Sequence, residues 1–405
     1  MHAPPMMAVR SALAGAVLLV AACVGCTPVR TVAAPVVSPM SSGLSLIAQR
    51  LPRVEYRGGP FLRRPMVHTI TFTSDEAALV THLERFGDTI TSTGWWRTVA
   101  AGYCSTRGDC IGAGPPGQHI RLPDRLPRVV SDVEIERLIG DALRRGQFGK
   151  LTPGALLVVY LPAGVTLTSG AVAAFCAGGP RAVHQVLRLP ERKLPYAIIP
   201  RCAGIDLVTV SASHEILEMA TNPEPAARAF ALVRSSSHLG FTLAGVEPAD
   251  PCGLLASDGS WPREAGYALH RAWSNAAAAR GGDPCVPTPP ARPFVALIPQ
   301  HATVRLEIGV VEQVTLEVAA SRPLGELSVA AVDLTGSREG ASYVSVSLSR
   351  DRAFVGDSLV LNLTLRKAHP TGAIVVGLLA SVDGQKSTWP LAVLTSGAAA
   401  SGDDG

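Results

Sequence analysis

Apolar residues recur along this chain with two different periods. VHTITFT (67–73) alternates apolar and polar, the mark of a strand with one buried face. ALLVVYLP (155–162) is continuously apolar, as expected of a strand covered on both faces. LPYAIIP (194–200) and DLVTV (206–210) are further strand candidates. Between them run helical periods. SDEAALVTHLERFGDTITST (74–93) has Ser74 as its expected N-cap, SDVEIERLIGDALRRGQF (131–148) opens on Ser131 and Asp132, and SHEILEMAT begins at Ser213. Strands alternating with helices predict an α/β or α+β domain over residues 51–286.

The period changes after PTPPARP (287–293), which reads as a Pro-rich linker and hinge. Seven short alternating segments follow: TVRLEIG, QVTLEVAA, LSVAAVDL, YVSVSLS, SLVLNLTLR, AIVVGLLASVDG and TWPLAVL. Gly, Pro, Asp and Ser turns separate them, which predicts an all-β, immunoglobulin-like sandwich over residues 294–396. The last residues, 397–405, carry no period and read as a disordered tail.

The N-terminus belongs to export rather than to the fold. Arg10 precedes the apolar run ALAGAVLLVAA, too short for the roughly 20 residues that span a bilayer. The run closes on VAAC and then VGC, so residues 1–26 read as a lipoprotein signal with Cys23 or Cys26 as the acylated residue. Residues 27–50, rich in Pro, Ala, Val and Ser, read as a flexible tether. These features place the chain at a bacterial cell envelope, exported and held to a membrane by lipid.

Composition narrows the function classes. In 405 residues, 47% are hydrophobic and 17% charged, and the net charge is only +4. So small and scattered a charge argues against nucleic-acid binding. No Gly-rich phosphate loop is present. Beyond the signal lie Cys104, Cys110, Cys176, Cys202, Cys252 and Cys285, an even set that suggests disulfides in an exported protein. Count alone leaves every pairing open, although Cys104 and Cys110 flank the polar loop STRGD and suit a local bridge. Paired CxxC motifs, the mark of a structural zinc cluster, are missing.

The chemistry concentrates in SHEILEMATNP (213–223). On a helix His214 and Glu218 share a face and can both reach one metal ion. Glu215 lies one step around, placed to hold a water and act as general base. This is the H-E-x-x-H pattern with glutamate as its second ligand. Adjacent carboxylates in a helix's first turn also arise for the macrodipole alone, but the apolar surroundings here make unpaired carboxylates costly. Downstream, EPADPC offers Glu247 as a third ligand and Asp250 as a residue orienting the ligands from behind. His238 and His270 are weaker candidates.

The segments YRGGPFLRRPMVHTITF, TSTGWWRTVAAGYC, VVYLPAGV, YAIIPRC, SHEILEMATNP, EPADPC and WSN…CV follow one another in order. Together they resemble the EXORDIUM-like, phosphate-induced secreted proteins and their bacterial relatives, over residues 56–286. The resemblance implies that His214, Glu215 and Glu218 meet Glu247 and Asp250 in one site. Ala249 stands where the family usually has glycine. Cys252 and Cys285 are then expected to be bridged, bringing the acid segment and WSN together, with Cys104–Cys110 next and Cys176–Cys202 by elimination.

The first functional expectation is an exported, zincin-like metal-dependent hydrolase for peptide or cell-envelope substrates, with Zn²⁺ as the ion. Two carboxylates and one imidazole nearly neutralise Zn²⁺, which also admits Mn²⁺ or Ca²⁺. The alternative is a non-catalytic cell-surface binding protein, in which any metal is structural and the sandwich does the binding. Substrate and oligomeric state are not encoded in any motif, and no motif says whether His184 joins the site.

Overall fold

Strand formation follows the β-branched and aromatic runs. In the N-terminal part the strands are β1 (Val54–Tyr56), β2 (Met66–Phe72), β3 (His119–Leu122), β4 (Val129–Ser131), β5 (Ala155–Tyr160), β6 (Thr166–Thr168), β7 (Val183–Leu189), β8 (Arg192–Ile199) and β9 (Phe230–Leu232). The computed structural model describes residues 39–170, 175–176, 181–255, 261–290 and 292–395. The expected signal, the candidate acylation sites Cys23 and Cys26, the tether up to residue 38 and the tail lie outside the described residues.

Five of these strands form one sheet in the order β3-β2-β5-β8-β7. The first four run parallel, and β7 pairs antiparallel with β8 as an edge. Alternation divides the sheet's side chains between two faces. Val67, Leu156, Val158, Tyr160, Ala197 and Ile199 meet α2 (Ala77–Thr89), α3 (Gly94–Ala100) and α5 (Ile205–Thr221). Ile70, Phe72, Leu157, Val159, Tyr196 and Ile198 meet α4 (Asp132–Arg144) on the other face. The expected mixed α/β core is therefore present, as three layers.

α4 starts where its sequence predicts, with a reciprocal capping box between Ser131 and Glu134. α2 does not start at Ser74. Its N-cap is Glu76, and Asp75 instead accepts a hydrogen bond from the Phe72 amide (3.0 Å), closing a turn. DLVTV is no strand either. It forms the first turns of α5, a 17-residue helix buried on nearly every side. An all-round apolar helix carries no amphipathic period, so a short β-branched run inside it imitates a buried strand.

The expected tether needs correction over its second half. Residues 39–50 form a helix, α1 (Pro39–Arg50), whose Ile47 is fully buried. α1 packs on the strands Val295–Pro299 and Val311–Ala320 and on the short helix Asn275–Ala279. At Gly281, φ is +68° and any Cβ would meet the Leu44 carbonyl at 2.1 Å, so glycine alone lets α1 lie this close.

Downstream, two sheets form a β-sandwich. One has the order Val295–Pro299, Val311–Ala320, Ser358–Leu365, Val344–Leu348; the other runs Thr303–Leu306, Gln385–Thr395, Ala373–Val382, Leu327–Asp333, Arg352–Ala353. All seven expected segments are strands. Val295–Pro299 and Arg352–Ala353 escaped notice because one follows directly on a Pro-rich run and the other is two residues long. Leu316, Val318, Leu361 and Leu363 join Val376, Leu378, Leu391 and Val393 in one core that continues into the α/β part.

That shared core changes the meaning of residues 287–293. Arg271 donates to the Pro287 carbonyl (3.2 Å), Arg292 lies 3.7 Å from buried Asp283, and Phe294 is 2% exposed. The segment is an anchored connection, not a loose hinge. α6 (Leu239–Ala244) and α7 (Asp250–Leu255) rest on the strand Gln385–Thr395, where Phe241 stacks edge-on against Trp389 at 5.2 Å.

Three disulfides join the described cysteines in the expected pairs: Cys104–Cys110, Cys176–Cys202 and Cys252–Cys285. They fit an oxidising compartment outside the cytosol. Among the described residues no helix is long and apolar enough to cross a membrane.

Candidate metal centre

Three elements converge beneath the edge strand. α5 supplies His214, Glu215 and Glu218; it is held in place by Thr209, which donates to the Ala268 carbonyl (2.7 Å), and by Ser213, which accepts from the His270 amide (2.8 Å). β7 supplies His184. Its neighbour Val183 packs into the opposite core, so alternation points His184 at α5. The loop from Gly245 to Asp250 supplies Glu247 and Asp250.

Turn chemistry shapes that loop. The Glu247 amide donates to Asp250 Oδ2 (3.0 Å), and Asn222, at the C-terminal end of α5, donates to Glu247 Oε1 (2.8 Å). The same Asn222 side chain donates to the Phe230 carbonyl and accepts from the Phe230 amide, both at 2.9 Å. Gly245 has φ +146°, and a Cβ there would meet the Asp250 side chain at 2.3 Å. The Cys252–Cys285 bridge ties the loop's far end to the strand beside Trp273.

Around Glu218 the donors fall into two sets. His214 Nε2 lies 3.1 Å from Glu218 Oε2 and 3.7 Å from Asp250 Oδ1. His184 Nδ1 lies 2.9 Å from Glu215 Oε2 and 3.8 Å from Glu218 Oε2. In each set the three donor atoms lie within 4.8 Å of one another, a span one metal ion can bridge. His184, Glu215, Glu218 and Glu247 are buried, while His214 and Asp250 keep partial access to solvent. Two polar atoms in this cluster are buried without a hydrogen-bond partner: His184 Nε2 and Glu218 Oε1.

Burial and charge pull the ionisable groups in opposite directions. Burial lowers the His184 imidazole, but the Glu215 hydrogen bond and the charges of Glu247 and Glu218 outweigh it and hold it at about 9. His214 behaves alike: burial opposes, and Glu218, Glu215 and Asp250 raise it to about 10. Burial and the Asp250 charge push Glu218 up to about 8. Burial also raises Glu247 and Asp250. Four carboxylates thus crowd around two imidazoles in a largely buried site.

The structure thus brings together His214, Glu215, Glu218, Glu247 and Asp250, and it adds His184. Glu247 Oε1 accepts from Asn222 and lies 3.8 Å from His184 Nε2, while Asp250 joins His214 and Glu218 in one donor set. Asp250 Oδ2 accepts from the Glu247 amide, and Oδ1 lies 3.7 Å from His214 Nε2. His238 lies elsewhere, bonded to Ser235 (2.9 Å). His270 lies outside the two donor sets, its ring edge-on to His214 at 4.6 Å and its Nδ1 buried with no hydrogen-bond partner. His184, whose place the sequence left open, sits in β7, a strand not picked out by the apolar pattern, and nothing local says which helix that strand covers.

Comparison with known proteins adds no family. No protein-family profile matches the chain, and no curated protein does. Among solved structures, domains 5-6 of the S-layer protein SbsC align over 26% of this chain and 45% of that one, at 10% identity and TM-score 0.19. A Bacteroides ovatus GH5 xyloglucanase aligns over 25% of this chain and 18% of its own, at 8% identity and TM-score 0.17. The Titin M10–Obscurin like 1 Ig complex aligns over 25% and 92%, at 20% identity and TM-score 0.17. This chain spans less than half of the first two, and at these scores none of the three bears on its fold or function.

Proposed function

We propose that this protein is an exported, lipid-anchored metal-dependent hydrolase of the zincin-like kind, acting on peptide bonds at the cell envelope. One observation carries the reading: five donor side chains from three separate elements surround Glu218, whose buried Oε1 has no partner. Buried polar atoms are nearly always satisfied, so an orphan inside a ring of imidazoles and carboxylates fits a cation. His214, Glu218 and Asp250 would hold it. An ion such as Zn²⁺ or Mn²⁺ in that position supplies Lewis acidity and makes water a better nucleophile near neutral pH.

The chain's own groups supply the rest. Glu215, fixed by its hydrogen bond to His184 Nδ1, is oriented to accept the proton of an attacking water. β7, the outermost strand beside the site, presents an edge along which an extended peptide can pair. The likeness to EXORDIUM-like proteins over residues 56–286 supports the same cluster, and the lipobox-like cysteines support anchoring at Cys23 or Cys26.

The test is metal content of the purified mature protein, followed by hydrolysis of an unfolded protein substrate. Bound metal is expected, and Glu215→Gln should keep it while lowering turnover by about 10²–10⁴-fold. A protein that binds metal yet shows no hydrolysis that depends on Glu215 would be a cell-surface binding protein with a structural ion.

A further inference from the structure

We infer that His184, Glu215 and Glu218 form a second divalent-cation position, sharing Glu218 with the first, and that filling it shuts the hydrolase down. The inference rests on the metal reading above and extends it. The two donor sets are distinct: His214 and Asp250 belong to one, His184 and Glu215 to the other, and only Glu218 is common. Glu218 has the means to serve both. Its Oε2 lies 3.1 Å from His214 Nε2 and 3.8 Å from His184 Nδ1, and its Oε1 is buried with no partner. A carboxylate giving one oxygen to each of two ions bridges them at the separation of about 3.5–4 Å found in two-metal sites.

His184 is mounted as a metal ligand would be. Its Nδ1 points at Glu215 and Glu218, while Nε2 makes no hydrogen bond and lies 3.8 Å from Glu247 Oε1, itself held by Asn222. A carboxylate behind the far nitrogen is the usual means of fixing a ligating imidazole. This arrangement gives Glu247 a positioning role in place of the ligand role its sequence position suggests. Charge points the same way. Glu215, Glu218, Glu247 and Asp250 outnumber the two imidazoles in a largely buried site, and an ion held by His214, Glu218 and Asp250 would leave Glu215 and Glu247 with His184 alone between them. Uncompensated charge in such a setting is costly, so a second cation has a strong electrostatic incentive to bind.

The consequence for activity is direct. Glu215 accepts a proton only while its oxygens are free of a cation. A second ion held by His184 and Glu215 would replace the 2.9 Å hydrogen bond between them and take up the proton acceptor. Activity should therefore rise with metal and fall again at higher concentration.

Mn²⁺ titration of the metal-free mature protein, followed by equilibrium metal analysis and electron paramagnetic resonance, tests this without a substrate. Two ions should bind in separable steps, the second giving an exchange-coupled spectrum. His184→Ala and the milder His184→Asn should each keep the first ion at wild-type affinity, which also shows that the fold survives, and lose the second. Saturation of the wild type at one ion overturns the second position, as does a second ion retained by both variants. Binding of no ion at all overturns the metal reading beneath it.

Discussion

At the scale of single residues, the cluster binds protons that a metal held as proposed would have to displace. His184 and His214 are held at about 9 and about 10, against an unfolded value near 6.5. A group raised in this way adds stability fully present below the unfolded value and lost as pH climbs through the folded one. The metal-free protein should accordingly lose thermal stability between about pH 6.5 and 10, and His214→Gln should flatten that limb. Metal competes with the same protons, so Zn²⁺ or Mn²⁺ affinity should increase over the same interval. Calorimetric scans across this range, with and without metal, check both; a metal-free protein whose midpoint rises with pH would refute the assignment. Some of this was legible beforehand. His214 and Glu218 are four positions apart on a helix, and that spacing survives in any fold that keeps the helix. His184 was not legible, because thirty residues and a hairpin turn separate it from its partners. No spacing records how Glu247 and Asp250 are oriented, because a backbone amide claims one oxygen of Asp250.

Among elements, the site depends on how the loop from Gly245 to Asp250 is held at its ends. Asn222 fixes one end to α5, and Cys252–Cys285 fixes the other across a separation of 33 residues. Closing a loop of that length is worth about 3–4 kcal/mol to the folded state. Replacing Cys252 and Cys285 together by Ser should lower stability by about that amount and weaken metal binding, since Asp250 opens the short helix that carries Cys252. Denaturant titration and metal analysis of the double variant measure both, and unchanged metal affinity would mean the bridge plays no part in the site. Element prediction succeeded where periods were clean. The capped amphipathic α4 and the alternating strands of the sandwich were visible from pattern alone. It failed at α5, because a helix enclosed on all sides by sheet and loops needs no polar face.

For the whole molecule, the sandwich and the α/β part are not independent. Trp389 on one packs against Phe241 on the other, and Gly240 leaves no room for a Cβ beside the Pro390 carbonyl (2.5 Å). One hydrophobic core runs through both. Heating should therefore produce a single cooperative transition whose calorimetric and van't Hoff enthalpies agree. Two resolved transitions, or release of a folded all-β fragment by proteolysis at residues 287–293, would show that the shared core is energetically minor. The sequence pattern suggested a hinge at this point because Pro-rich runs usually separate domains. Their composition says nothing about what packs over them.

The clamp formed by α1 has a mechanical meaning. If the chain is tethered upstream of Pro39, every tug on the tether enters the fold through Leu44 and Ile47, where α1 lies on both the sandwich and the helix Asn275–Ala279. Load is then shared across the seam instead of peeling one strand from a sheet edge. In that case α1 would carry a pull into the sandwich and the helix Asn275–Ala279, while the candidate metal cluster lies on α5, β7 and the loop from Gly245 to Asp250.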